Sequence, residues 1–228
     1  MIIGLDMFTA ISATQYKCLR RANISFHIPS AASWHSGVNP IINTMLAGAT
    51  AAGIATHVSM QFCRSIPAVD QLKRNLDHIA GGKFEHLFIE MGANDNIFDS
   101  TKSWDANATC SWTRHTQEDN VHYLSALVGG IKESGHAAGM WIDAGRWSHI
   151  FGNHTGVPSD IALWHPQYDN VSNCADFTPF GPFSKMYVKM YMPHSDEATG
   201  INSCGITKCT TGETPMEQAC DTDVLCDA

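Results

Sequence analysis

Residues 54–90 read IATHVSMQFCRSIPAVDQLKRNLDHIAGGKFEHLFIE, and the order of patterns within them decides the fold class. Ile54 to Phe62 is a short run with β-forming residues and predicts a strand. From Pro67 the spacing becomes helical, with Val69, Leu72, Leu76 and Ile79 on one face and Gly81-Gly82 ending the helix. His86-Leu87-Phe88-Ile89-Glu90 is again strand-like and closes on a carboxylate. The same alternation extends toward the N-terminus. Ile2 to Asp6 predicts a strand, Ser12 with Gln15 forms a capping box before Tyr16 to Arg20, and Ile24 to Pro29 predicts the next strand. Asn39-Pro40 then opens a helix through Ile41, Leu46 and Ala49 that stops at Gly53. Toward the C-terminus, Val121, Leu124, Leu127, Val128 and Ile131 mark a helix closed by Gly135. Ala137 to Asp143 is a strand, and Trp147 with Ile150 marks a short helix. Ile161 to Trp164 and Met186 to Met192 follow as strands with no helix between them. Five strand-then-helix units in succession predict a parallel sheet, closed as a barrel or doubly wound.

Composition narrows the class. The chain has 228 residues, 44% of them hydrophobic and 16% charged, so it buries a sizeable core and is not globally disordered. A net charge of −8 argues against a nucleic-acid partner. Charged residues or histidines interrupt every apolar run, so no membrane span is expected. Eight cysteines and four Asn-x-Ser/Thr sequons, at Asn23, Asn107, Asn153 and Asn170, predict a secreted, disulfide-bonded glycoprotein. The start Met1-Ile2-Ile3-Gly4 has no basic leader region, so a signal peptide is expected to have been removed or replaced.

The charge is uneven. Residues 193–228 carry seven acidic side chains against Lys208 alone and hold half of the cysteines, whereas residues 1–192 are nearly neutral. This divides the chain into a barrel over 1–192 and an acidic, disulfide-stapled tail over 193–228, packed on the barrel or extending from it. Three carboxylates end apolar strands: Asp6, Glu90 and Asp143. Each alone reads as a helix cap. Together on the functional rim of a parallel barrel, they match the carboxylate chemistry of glycoside hydrolysis. The histidines lack the spacing of common zinc sites, so no metal site and no cofactor is expected, and they read as surface or core residues. The tryptophans read mainly as core or rim.

Several segments together resemble a known family. They are Gly4-Leu5-Asp6, Ser12 to Arg20 with Cys18, Ile89-Glu90, Cys110-Ser111-Trp112, Gly139-Met140-Trp141 with Trp147, Leu163-Trp164 to Tyr168-Asp169, and Phe177 to Gly181. In this order, over roughly residues 3–191, they resemble the amoeba- and nematode-type branch of the glycoside hydrolase family 25 lysozymes. The resemblance implies an α/β fold, an irregular TIM-like (β/α)5(β)3 barrel followed here by the cysteine-rich tail. It further implies cleavage of the β-1,4 bond after N-acetylmuramic acid, a Cys18–Cys63 disulfide, and Trp141 and Trp164 as sugar-stacking platforms, with Tyr168 and Asp169 beside them.

The chain departs from that pattern where chemistry matters most. The family's Asp-x-Glu reads Phe88-Ile89-Glu90, which keeps the proton donor and replaces its partner with an apolar ring. His57 and Ser59 stand where an acidic residue and a tyrosine are usual, Trp141 replaces a tyrosine, and Lys189-Met190-Tyr191 replaces Lys-Gln-Tyr. The late Asp-x-Asn has no evident counterpart. Losing one such electrostatic partner costs on the order of 10²–10³ in rate. The favoured expectation is a secreted lysozyme-like protein with a glycan- or ligand-binding groove and a weakened or lost hydrolytic centre. One alternative is an active muramidase with Glu90 as general acid, supported by Asp6 or Asp143. A second is a metal- or small-ligand-binding secreted protein using its histidines. The ligand and the oligomeric state are not legible in the sequence.

Overall fold

The computed structural model describes residues 2–7, 10–33, 37–79, 82–91, 110–154, 156–192, 201–206 and 220–226. Asn107, Trp34, Trp104 and Cys209 lie outside these residues. Each predicted βα unit is present: β1 (Ile2–Met7) and α1 (Ala13–Arg21), then β2 (Ile24–Ser33), the two-residue β3 (Gly37–Val38) and α2 (Ile42–Ala52). The short β4 (Ala55–Thr56), β5 (Val58–Gln61), α3 (Ala68–His78), β6 (His86–Glu90) and α4 (Gln117–Glu133) follow. β7 (Ala137–Trp141), α5 (Ala144–Ile150), β8 (Ala162–Pro166), β9 (Val188–Met192) and β10 (Cys220–Leu225) complete the order. The fold is a closed eight-stranded α/β barrel of the (β/α)5(β)3 kind.

The helix signals act as their chemistry requires. Ser12 and Gln15 exchange both capping-box bonds, at 2.8 and 3.2 Å. Gly53 adopts the left-handed conformation, φ 72°, that ends α2. The inner face of α3 is the exception. Val69 is 54% exposed, whereas Ala68, Gln71, Leu72 and Asn75 are buried. Gln71 occupies the inner face because its Oε1 accepts the Cys63 backbone N–H.

Neighbouring strands pair in parallel from β1 through β2, β5, β6, β7 and β8 to β9, and β10 runs antiparallel between β9 and β1. The last strand thus comes from the segment after residue 192, which does more than pack on the barrel: it supplies the closing stave. Inside, Phe26, Ile28, Phe88, Trp164, Val188 and Met190 form the core of the barrel. Outside, Leu5, Met7, Tyr16 and Leu19 pack beneath α1, and Leu87, Ile89, Leu124, Leu127 and Met140 beneath the α3–α4 side.

The disulfides correct an expectation. Cys18 pairs with Cys204, Cys63 with Cys110, and Cys174 with Cys226; Cys18 and Cys63 are not partners. Cys18 sits on α1, which packs against the turn Ile201–Cys204, with Gln15 donating to the Gly205 carbonyl. Cys63 follows β5, where the Arg64 N–H reaches the Cys110 carbonyl. Cys204 and Cys226 therefore tie the C-terminal segment to the barrel.

Packing inside the barrel depends on a glycine. A Cβ on Gly139 would lie 2.3 Å from the Phe88 ring and 3.2 Å from the Ala162 carbonyl. Gly139→Ala is therefore expected to lower stability by about 1–3 kcal/mol. In urea denaturation the cost should shrink when Phe88→Ala is also present, and additive losses would show that the two positions are not in contact.

Candidate active site

β6 delivers Glu90 to the C-terminal end of the barrel, between Gln61 on β5 and Trp141 on β7 in the strand register. Gln61, 1% exposed, donates its amide to Glu90 Oε1 at 3.0 Å. Glu90 Oε2 is shut off from solvent with no bonded partner. Burial accordingly raises the Glu90 pKa above its ordinary value. The Gln61 bond opposes this, as does, more weakly, the Ser59 hydroxyl beyond normal bonding distance. A protonated carboxyl at a strand end is the form a general acid needs.

The other expected site residues divide. Asp6 is 6% exposed near the end of β1. Asp143 caps α5: its Oδ1 accepts the Arg146 N–H at 2.8 Å and its Oδ2 pairs with the Arg146 guanidinium. Both its oxygens are thus engaged by its own helix, as the capping reading of a strand-end carboxylate expects. Trp141 is half-buried, with the Arg146 guanidinium 5.1 Å from its ring centroid. Trp164 is 1% exposed and offers no face for stacking a sugar. Its indole N–H instead donates to Asp223 at 2.9 Å inside the barrel.

Tyr168 is exposed on the β8–β9 connection. Asp169, next to it, is bound by Lys189, a wholly buried lysine whose ammonium lies 2.6 Å from Asp169 and 3.2 Å from Asp176. Partial burial would push the Asp169 carboxyl up, but bonds from Lys189 and the Val171 N–H hold it below its ordinary value. Asp169 is thus a loop anchor, and Tyr168 is the residue of this pair that faces solvent.

Two features escaped the sequence reading. Gln61 gave no signal, because a glutamine in a strand is recognisable as a carboxylate partner only once the register is known. The second is an acidic pair on β10, where Asp221 stands opposite Asp6 in the backbone register and Asp223 opposite Gly4. Acidic residues are depleted in strands, so this alternation carries no local strand signal.

The barrel agrees with known proteins. A family 25 glycoside hydrolase lysozyme from Aspergillus fumigatus superposes with a TM-score of 0.66, at 15% identity, over 97% of this chain and 92% of that one. A muramidase from Trichobolus zukalii superposes with a TM-score of 0.64, at 17% identity, over 100% and 95%. At these identities the likeness shows the fold. In sequence, lysozyme-like protein 5 of Caenorhabditis elegans is 27% identical over 214 residues, covering 90% of this chain and 87% of the relative. A probable family 25 lysozyme 2 of Dictyostelium discoideum is 27% identical over 207 residues with the same coverage. The family model described as "Lysozyme-like protein 1" matches residues 1–191, and the chain belongs to that family among the glycoside hydrolase family 25 lysozymes.

The raised Glu90 pKa has a thermodynamic consequence. Above pH 4.5, the ordinary carboxyl value, the unfolded chain releases the proton that the folded state still holds. Glu90 therefore costs stability as pH rises from there through its raised folded value. Urea titrations from pH 4 to 8 should show this decline in the wild type relative to Glu90→Gln. Gln61→Ala should extend it to higher pH, and parallel curves for wild type and Glu90→Gln would contradict the shift.

Proposed function

We propose that this chain is a secreted lysozyme-like protein that binds a peptidoglycan-type glycan at the Glu90 end of its barrel and hydrolyses it slowly or not at all. The observation that carries this reading is Phe88. Its ring is wholly buried two residues before Glu90, fitted over Gly139 and 5.5 Å from the Trp164 ring. An apolar ring there neither orients an acetamido group nor stabilises the positive charge that develops on a sugar in glycoside cleavage. Glu90 retains the raised pKa of an acid but lacks a charged neighbour on its own strand. Secretion is supported by three disulfides among the described residues and by the exposed sequon residues Asn23, Asn153 and Asn170. Relatives named as lysozymes support the glycan class of ligand.

One observation favours an active N-acetylmuramidase instead: Glu90 is half-buried with one carboxylate oxygen shut off from solvent and its pKa raised, as suits a general acid, and Asp6 on β1 is the candidate second carboxylate. Cosedimentation with insoluble peptidoglycan and a cell-wall turbidity assay separate the two readings. Wild type and Glu90→Gln should both cosediment, with clearing at least about 10²-fold slower than by a family lysozyme that keeps the Asp-x-Glu pair. Brisk clearing abolished by Glu90→Gln would establish the muramidase. Failure to cosediment would remove the glycan reading.

A further inference from the structure

The opposite end of the barrel gathers a second set of ligating side chains. His57 immediately precedes β5, Glu85 immediately precedes β6 and His86 begins it; parallel pairing of the two strands sets these positions side by side. One ligand atom from each of His57, Glu85 and His86 lies within 4.8 Å of the other two. The His57 and His86 Nδ1 atoms are 3.3 Å apart. Two nitrogens bound to one tetrahedral zinc at about 2.0–2.1 Å stand about 3.3–3.4 Å apart, the edge of the tetrahedron.

The surroundings favour a ligand over an ordinary buried pair. His57 is 1% exposed and its Nδ1 meets the His86 Nδ1, two like atoms whose lone pairs can both serve a single ion. Phe26, Phe88 and Tyr187 surround it at 5.9–6.1 Å between ring centroids. Glu85 is exposed and His86 half-buried, which gives an ion a path from solvent.

We propose that His57, His86 and Glu85 bind one divalent transition-metal ion of the zinc class, the fourth position being left to water. Two imidazoles and one carboxylate are a donor set suited to such an ion. His86 and Glu90 are the two ends of β6, about 13 Å apart at some 3.3 Å per residue, so this site is separate from the glycan end. Because His57 and Glu85–His86 belong to neighbouring strands, the ion would clamp β5 to β6.

The test uses the full chain, purified without an affinity tag, stripped with a chelator and titrated with zinc chloride by calorimetry alongside thermal unfolding. One ion per chain should bind and raise Tm, since the ion stabilises only the folded state. Glu85→Gln, an exposed change that leaves the core intact, and His86→Gln should each weaken binding at least about tenfold and remove most of the Tm shift. The Glu85→Gln/His86→Gln double variant keeps every other histidine. If wild type takes up no more zinc than this variant, the proposal is overturned.

Discussion

Closure of the barrel is the constraint on which the other features depend. β10 lies antiparallel between β1 and β9, so a strand from the end of the chain completes the ring begun by the first. Until it docks, β1 and β9 each present an open edge, and the inner face of the sheet lacks one wall. Its docking brings Asp223 into the barrel, where its Oδ1 accepts the Trp164 indole N–H from across β9. The Cys174–Cys226 bond holds the same strand from beyond its end, through the β8–β9 connection. That connection is held in turn by buried Lys189 between Asp169 and Asp176. The acidic charge that sets the C-terminal segment apart is thus partly spent inside the barrel.

The parts legible in the sequence are those set by local chemistry. Strand–helix alternation over residues 54–90, the Ser12–Gln15 capping box and the Gly53 stop each depend on neighbours within a few residues. The illegible parts depend on contacts made only after closure. The inner face of α3 was misread because Gln71 satisfies a distant backbone N–H and so displaces an apolar residue from the interior. The cysteine partners required knowing that α1 lies beside residues 201–204. β10 was hidden because an inward strand face is expected to be apolar, and here it carries an aspartate with a private hydrogen bond.

The site was legible to the same degree. Glu90 could be read as the end of an apolar strand, and its raised pKa follows from that burial. Gln61, which tempers the shift, belongs to another strand and carries no local signal. Asp143 and Asp169 show why counting carboxylates overestimates a site: each is engaged by a cation and a backbone N–H of its own segment, before any ligand is considered. Trp164 makes the same point for aromatics, because a tryptophan expected to line a groove is core, its indole turned inward toward Asp223.

The pleat of β6 explains how one barrel supports chemistry at both ends. Alternate residues of a strand share a face, so His86, Phe88 and Glu90 rise in sequence along the inner side of one strand. Phe88 is the middle of the three. Together with Phe26, Ile28, Trp164 and Val188 it makes a dry layer, and Gly139 makes room for its ring. A carboxylate at this height would join the interior to the polar mouth and give Glu90 a charged neighbour. A phenyl ring instead closes the mouth from below and denies Glu90 part of its solvation. It also walls off His57, whose pKa burial lowers as it raises that of Glu90: burial opposes charge on an acid and a base alike. A phenyl ring at position 88 therefore separates the barrel into two ends, an acid at one and imidazoles at the other.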